Sequence, residues 1–156
     1  MQDQHTDYMH QCLALARIAL EANNPPVGSV IVFEGKVIGK GIESGRSTDD
    51  ITNHAEILAV RDAIANGYKD VLRQSCMYTT HEPCIMCSYV IRHHMIPDIV
   101  YGLAVPELGG ATSPFAILST QDVPKWGKPP RITSDVCMEE CLALQKAFQQ
   151  QLKIYK

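Results

Sequence analysis

The sequence predicts a three-layer α/β/α fold built around a mixed β-sheet. Two observations predict it. Apolar spacing alternates between helical and strand periods, in the order helix, hairpin, helix, strand, helix, strand, helix. The composition, 46% hydrophobic and 20% charged over 156 residues, suits one domain that buries a substantial core without covalent staples. The whole chain, residues 1–156, is therefore read as a single domain, with no repeat, linker or low-complexity stretch.

Each element has a local justification. Residues 7–22 carry Met9, Leu13, Ala16, Ile18 and Leu20 at helical spacing, and "NNPP" at residues 23–26 ends the helix. Two β-rich runs, 28–33 and 36–40, join through Glu34-Gly35 as a hairpin. A polar loop, 43–50, precedes a helix over 52–66 that Gly67 stops. Residues 76–80 form a short strand. Pro83 stands where a further helix opens, running to about His94. Residues 96–103 read as a buried strand. Gly109-Gly110 and the proline-rich stretch 119–130 mark long loops, and residues 134–154 form the last helix.

Charge and targeting narrow the function. The net charge is −3, and the longest basic stretch, Lys125 to Arg131, is broken by Trp126, Gly127 and two prolines. That argues against a broad nucleic-acid footprint. The amino terminus lacks the apolar core of a signal peptide, and no apolar run approaches the roughly 18 residues a bilayer span needs. A cytoplasmic protein is expected, with its six cysteines as thiols or metal ligands rather than disulfides.

Two motifs stand out. "THEPCIMC" (residues 80–87) holds Cys84 and Cys87, and "NHAEI" (residues 53–57) holds His54 and Glu56. A C-x-x-C alone reads as a redox dithiol, half a metal site or packing. Zinc takes sulfur and imidazole ligands, and a catalytic zinc keeps one of four positions open. His54, Cys84 and Cys87 supply three ligands for one zinc per chain, and Glu56 supplies a carboxylate beside it. His54 and Glu56 diverge by about 200° in mid-helix, so they converge only if the helix points its amino end at the ion. Two helix amino termini are expected to meet there, and the positive end of a helix dipole favours the thiolates. Cys12, Cys76, Cys137 and Cys141 fit apolar faces and read as packing. His93-His94 suit a helix carboxyl end, Trp126 reads first as an anchor for its loop and second as a ring that stacks on a bound base, and Glu139-Glu140 face solvent.

His54-Ala55-Glu56 with Pro83-Cys84-Ile85-Met86-Cys87 matches H-x-E…P-C-x-x-C, the zinc deaminase signature. Over residues 8–150 the chain resembles the cytidine deaminase superfamily. The likeness is greatest to the branch holding bacterial guanine deaminases and tRNA adenosine deaminases, through "PPVGSVIV", "NHAEILAVRDA" and "YTTHEPCIMC". The resemblance implies a five-stranded sheet, a homodimer and hydrolytic deamination of a cyclic amidine. In it, zinc acidifies water and Glu56 moves the protons. It also implies that Val27, Glu43, the backbone at Ala55 and the carbonyl at Glu82 meet the substrate. His81 is either framework or a substrate contact.

Two departures set the expected substrate. Counting back from His54 without a gap puts Glu43 where relatives usually carry Asn, and a carboxylate accepts hydrogen bonds but donates none. Where tRNA adenosine deaminases carry an Arg-Asp-x-Lys stretch, this chain has Ala104-Val105-Pro106-Glu107, with no cation. The expectation is a small, purine-like base or nucleoside such as guanine, with nucleic acid not a partner. The alternatives are a tRNA-specific adenosine deaminase and, outside enzymes, a zinc-stabilised binding module.

Overall fold

The computed structural model describes residues 3–154; residues 1, 2, 155 and 156 of the expected domain lie outside the described residues. Helix α1 (Gln4–Glu21) starts on Asp3, whose carboxylate accepts the His5 N–H at 3.3 Å. Strands β1 (Gly28–Phe33) and β2 (Lys36–Ile42) follow as the expected hairpin. Glu34 and Gly35 both hold positive φ, the handedness that keeps a two-residue hairpin turn in step with strand twist. Strand β3 (Cys76–His81) pairs antiparallel to β1, while β4 (Asp98–Leu103) and β5 (Arg131–Thr133) continue in parallel. The order is β2-β1-β3-β4-β5, a mixed five-stranded sheet.

Helices cover both faces. On one side α1 and α5 (Met138–Ile154) enclose Met9, Cys12, Leu13, Val30, Tyr78, Val100 and Cys141. On the other, α3 (Ala55–Ala65) and α4 (Ile85–His94) enclose Ile31, Val60, Met77, Ile91 and Ile99. Each of the Met, Leu, Val and Ile side chains among these contributes roughly 1.5–3 kcal/mol on full burial, which fixes the layers on the sheet. The expected α/β/α sandwich is the observed fold.

Boundaries differ from the sequence reading for local reasons. The loop expected over 43–50 contains a four-residue helix, α2 (Gly45–Thr48). The helix expected from residue 52 starts at Ala55, because Asp50 captures the Thr52 N–H and hydroxyl and Asn53 bonds Thr48. The helix expected at Pro83 starts at Ile85, since Cys84 is extended and acts as its cap residue. The helix expected from residue 134 starts at Met138, after positive φ at Asp135 and Cys137. Strand β5, which the sequence reading did not place, begins directly after the proline-rich stretch at Pro129 and Pro130 and is too short to show alternation.

Trp126 anchors its loop as expected. It is buried in a 3₁₀ turn (Pro124–Trp126) with the Arg92 guanidinium 5.1 Å from the ring centroid. Arg92 is buried on α4 and donates to the carbonyls of Ile117, Leu118 and Thr120 at 2.8–3.1 Å, tying this loop to the helix. Among the described residues no helix is long and apolar enough to cross a membrane.

Candidate metal centre

The two motifs reach one point because of where the sheet places their helices. Helix α3 lies directly on β2, and Gly41 makes that possible: a Cβ there would sit 1.9 Å from the Ala55 carbonyl oxygen. His54, in extended conformation, is the cap residue of α3, and Cys84 is the cap residue of α4. Both helices aim their amino ends at the same spot, as the divergence argument requires.

His54 Nδ1 lies 3.5 Å from Cys84 Sγ and 3.5 Å from Cys87 Sγ. The three ligand atoms all lie within 4.8 Å of one another. An ion bound at ordinary zinc–sulfur and zinc–nitrogen lengths with a tetrahedral angle separates sulfur from nitrogen by about 3.6 Å. The observed spacing is therefore that of a zinc site. Three protein ligands leave a fourth position, and a cavity of about 220 Å³ opens beside them, lined by Ile51, His54, Cys84, Ile85, Met86 and Leu108. A structural zinc site closes its shell with protein, and among the described residues only three side chains gather here as ligands.

The charges at the centre fit the same chemistry. The Cys87 thiol and, after it, His54 hold the Cys84 thiol down at about 4 against the opposing effect of burial. Hydrogen bonding to Cys84 lifts His54 to about 9. The Cys87 thiol moves the opposite way, raised by its hydrogen bond with Cys84 and then by burial, so metal binding at these ligands is coupled to proton release. The other four cysteines behave as packing: burial pushes all four thiols above their ordinary range.

Glu56 is 5% exposed on the first turn of α3. Burial raises its carboxyl to about 7. Two hydroxyls hold it. Thr79 donates to Oε1 at 3.3 Å, Ser29 lies 3.5 Å from the same oxygen, and Ser29 donates to Thr79 at 2.8 Å. Ser29 and Thr79 face each other across β1 and β3. The sequence reading missed both. The one available signal was a hydroxyl at a fully buried strand position, which has to find a partner inside the protein.

The expected substrate residues divide. Val27 and Glu43 are buried neighbours, the Glu43 N–H donating to the Val27 carbonyl at 3.0 Å. Glu43 Oε2 accepts the Gly45 N–H at 2.8 Å, and its charge acts on both His54 and Glu56. Burial raises the Glu43 carboxyl. Ala55 is wholly buried at the start of α3. The Glu82 side chain turns away, accepting the N–H groups of Val105, Ala111 and Thr112 at 2.7–2.8 Å. It thereby shapes the loop over Cys84, and Gly109 is needed because a Cβ there would lie 2.2 Å from the Glu82 carboxyl. His81 ends β3, does not line the 220 Å³ cavity, and its buried Nε2 has no partner among the described residues.

Comparison with known proteins gives a consistent picture. The family described as "Cytidine and deoxycytidylate deaminase zinc-binding region" matches residues 2–103. The tRNA-specific adenosine deaminase 2 of Xenopus laevis is 32% identical over 151 residues, spanning 93% of this chain and 86% of its own. A solved structure from a study of A-to-I editing by tRNA:A34 deaminases at the wobble position of transfer RNA superposes with TM-score 0.81. It is 31% identical and covers 89% of this chain and 99% of its own. A guanine deaminase structure from Nitrosomonas europaea superposes at TM-score 0.77 with 17% identity, over 96% of this chain and 86% of its own, which shares the fold alone. Two of these relatives are deaminases of tRNA, and that overturns the expectation that nucleic acid is not a partner. The reason is physical: net charge sums the whole chain, whereas an RNA meets only the part of the surface it touches.

Proposed function

The chain belongs to the cytidine and deoxycytidylate deaminase family and is a zinc-dependent hydrolytic deaminase, and on that premise we propose that it deaminates an adenosine carried in tRNA. The observation that carries this reading is the 32% identity to a tRNA-specific adenosine deaminase along 93% of the chain. The geometry supports it through a three-ligand centre with a free position next to a buried, hydroxyl-held carboxyl group.

His54, Cys84 and Cys87 would hold the zinc. The chemistry such an ion supplies is Lewis acidity, which brings the pKa of water toward neutrality. Glu56 takes the proton that the attacking water gives up and hands it to the ring nitrogen next to the amine-bearing carbon. It then carries the second proton to the departing amine, so water and the amino compound become a carbonyl and ammonia. Thr79 and Ser29 engage one carboxyl oxygen and leave the other for the reacting groups.

Glu43 acts on specificity in this reading. Adenine offers acceptors along its ring apart from the departing amine, so a carboxylate's natural partner is a ribose hydroxyl. The apolar mouth formed by Ile51, Ile85, Met86 and Leu108 receives the base.

The test is turnover of an unmodified tRNA transcript with adenosine at the wobble position, alongside free guanine, adenine and adenosine. Inosine should form in the tRNA and free bases should release little ammonia. Glu56→Gln should retain stoichiometric zinc yet lose about 10²–10⁴-fold in kcat. A 2′-deoxy target should penalise the wild type but not Glu43→Ala. Efficient deamination of a free base with an inert tRNA rejects the reading.

A further inference from the structure

We infer that the edge of the sheet opposite the metal centre carries a phosphate-binding strip that docks the stem of the tRNA substrate. This rests on the tRNA reading above and deepens it.

The strip assembles from segments far apart in sequence. The 3₁₀ turn Lys69–Gln74 leads into β3, the carboxyl end of α4 leads into β4, and the stretch 127–131 leads into β5. Because β3, β4 and β5 are parallel, all three connections lie at the edge where these strands begin. One cavity of about 460 Å³ there is lined by Lys69, Asp70, Arg73, His93 and His94. A second, of about 430 Å³, shares Arg73 and adds Lys128 and Arg131 above Met95, Trp126 and two prolines.

The charge is one-sided. Arg131 is engaged by Asp98, Nε to Oδ1 at 2.7 Å. Lys69, Arg73 and Lys128 are exposed and have no ion-pair partner among the described residues. Asp70 is the one acidic residue lining either cavity, and Asp98 lies beside them on Arg131. A protein of net charge −3 thus concentrates cations along one groove, which is the local footprint that phosphate contacts use.

Distance identifies the partner. The metal centre lies at the ends of the parallel strands and the strip at their beginnings. Six residues of strand span about 20 Å. A free base in the 220 Å³ cavity cannot reach the strip. A nucleic-acid strand rises about 3.4 Å per nucleotide, so roughly six nucleotides bridge the two places. The strip therefore serves a substrate whose duplex continues beyond the reacting loop.

The experiment compares the zinc-loaded wild type with Lys69→Gln, Arg73→Gln, Lys128→Gln and their combination. Substrates are a full tRNA transcript and a seven-nucleotide loop bearing the same adenosine, assayed across a salt series. All three positions are exposed, so folding is preserved. On full tRNA the combined variant should raise KM at least several-fold and flatten the log–log salt dependence by about one unit per lost contact, with kcat unchanged. On the short loop it should match the wild type. Unchanged KM and salt slope on full tRNA, with an active wild type, overturn the strip. Equal loss on both substrates overturns it too, because the effect is then not at a distance. Should the wild type deaminate only free bases, the functional reading fails separately. Filter binding of the same tRNA then decides the strip: weaker binding by the combined variant upholds it and equal binding rejects it.

Discussion

At the scale of single residues, chemistry was easiest to read where the residue type itself is rare for any other purpose. His54, Glu56, Cys84 and Cys87 stood out because an imidazole and two thiolates at those spacings can hold one metal ion, with a carboxylate nearby for the proposed proton transfers. Ser29 and Thr79, which hold Glu56, were not legible, since a hydroxyl on a strand has many roles and no spacing rule. Glu82 shows the limit from the other side: it sits in the motif, yet its carboxylate organises the 105–112 loop. His81 leads to a prediction. Burial lowers its pKa to about 4, well under the ordinary 6.5. The unfolded chain therefore binds a proton more readily than the folded one below pH 6.5, and stability falls as pH drops from there toward 4. Between pH 6.5 and pH 5 this one ring costs about 2 kcal/mol. Denaturant titrations at pH 7 and pH 5 should show a smaller acid-induced loss in His81→Leu than in the wild type, by about that amount. An identical loss in both proteins contradicts the assignment.

At the scale of elements, periodicity located the helices and the hairpin but not their ends. Ends depend on side chains that compete for backbone groups, as Asp50 does with Thr52, and a frameshift of three residues is invisible to an apolar repeat. Those ends matter here, because His54 and Cys84 act as ligands from cap positions. The contact of α3 with β2 sets the height of His54. A Cβ at position 41 meets the Ala55 carbonyl, one residue from the metal ligand. Gly41→Ala should therefore destabilise by about 1–3 kcal/mol and also weaken zinc binding, since the start of α3 must lift. Calorimetry with a zinc-competition assay checks both. A stability loss with unchanged zinc affinity shows that the helix tilts without moving its cap.

At the scale of the whole molecule, the metal belongs to the folding equilibrium. The three ligands come from two helices attached to opposite ends of the strand order β2-β1-β3, so an ion that bridges them stabilises the docked state. With free zinc a thousand-fold above Kd, linkage gives about 4 kcal/mol, or roughly 8–16 °C in Tm for a chain of this size. Chelation should lower Tm by that range and abolish activity, and zinc should restore both. Cys84→Ala should sit at the lower Tm with or without chelator. A Tm indifferent to zinc in the wild type contradicts the coupling.

The same scale decides what order of residues alone determines. The fold class and the three metal ligands were written in local sequence, as was the carboxylate proposed as the base, because helical period, strand period and ligand chemistry each act over a few residues. The proposed partner was not. Summed charge and the missing cations at Ala104–Glu107 pointed away from nucleic acid, while the folded chain gathers Lys69, Arg73 and Lys128 from three connections onto one edge. A surface field depends on which charges become neighbours, and parallel strand pairing, a contact across dozens of residues, is what makes them so.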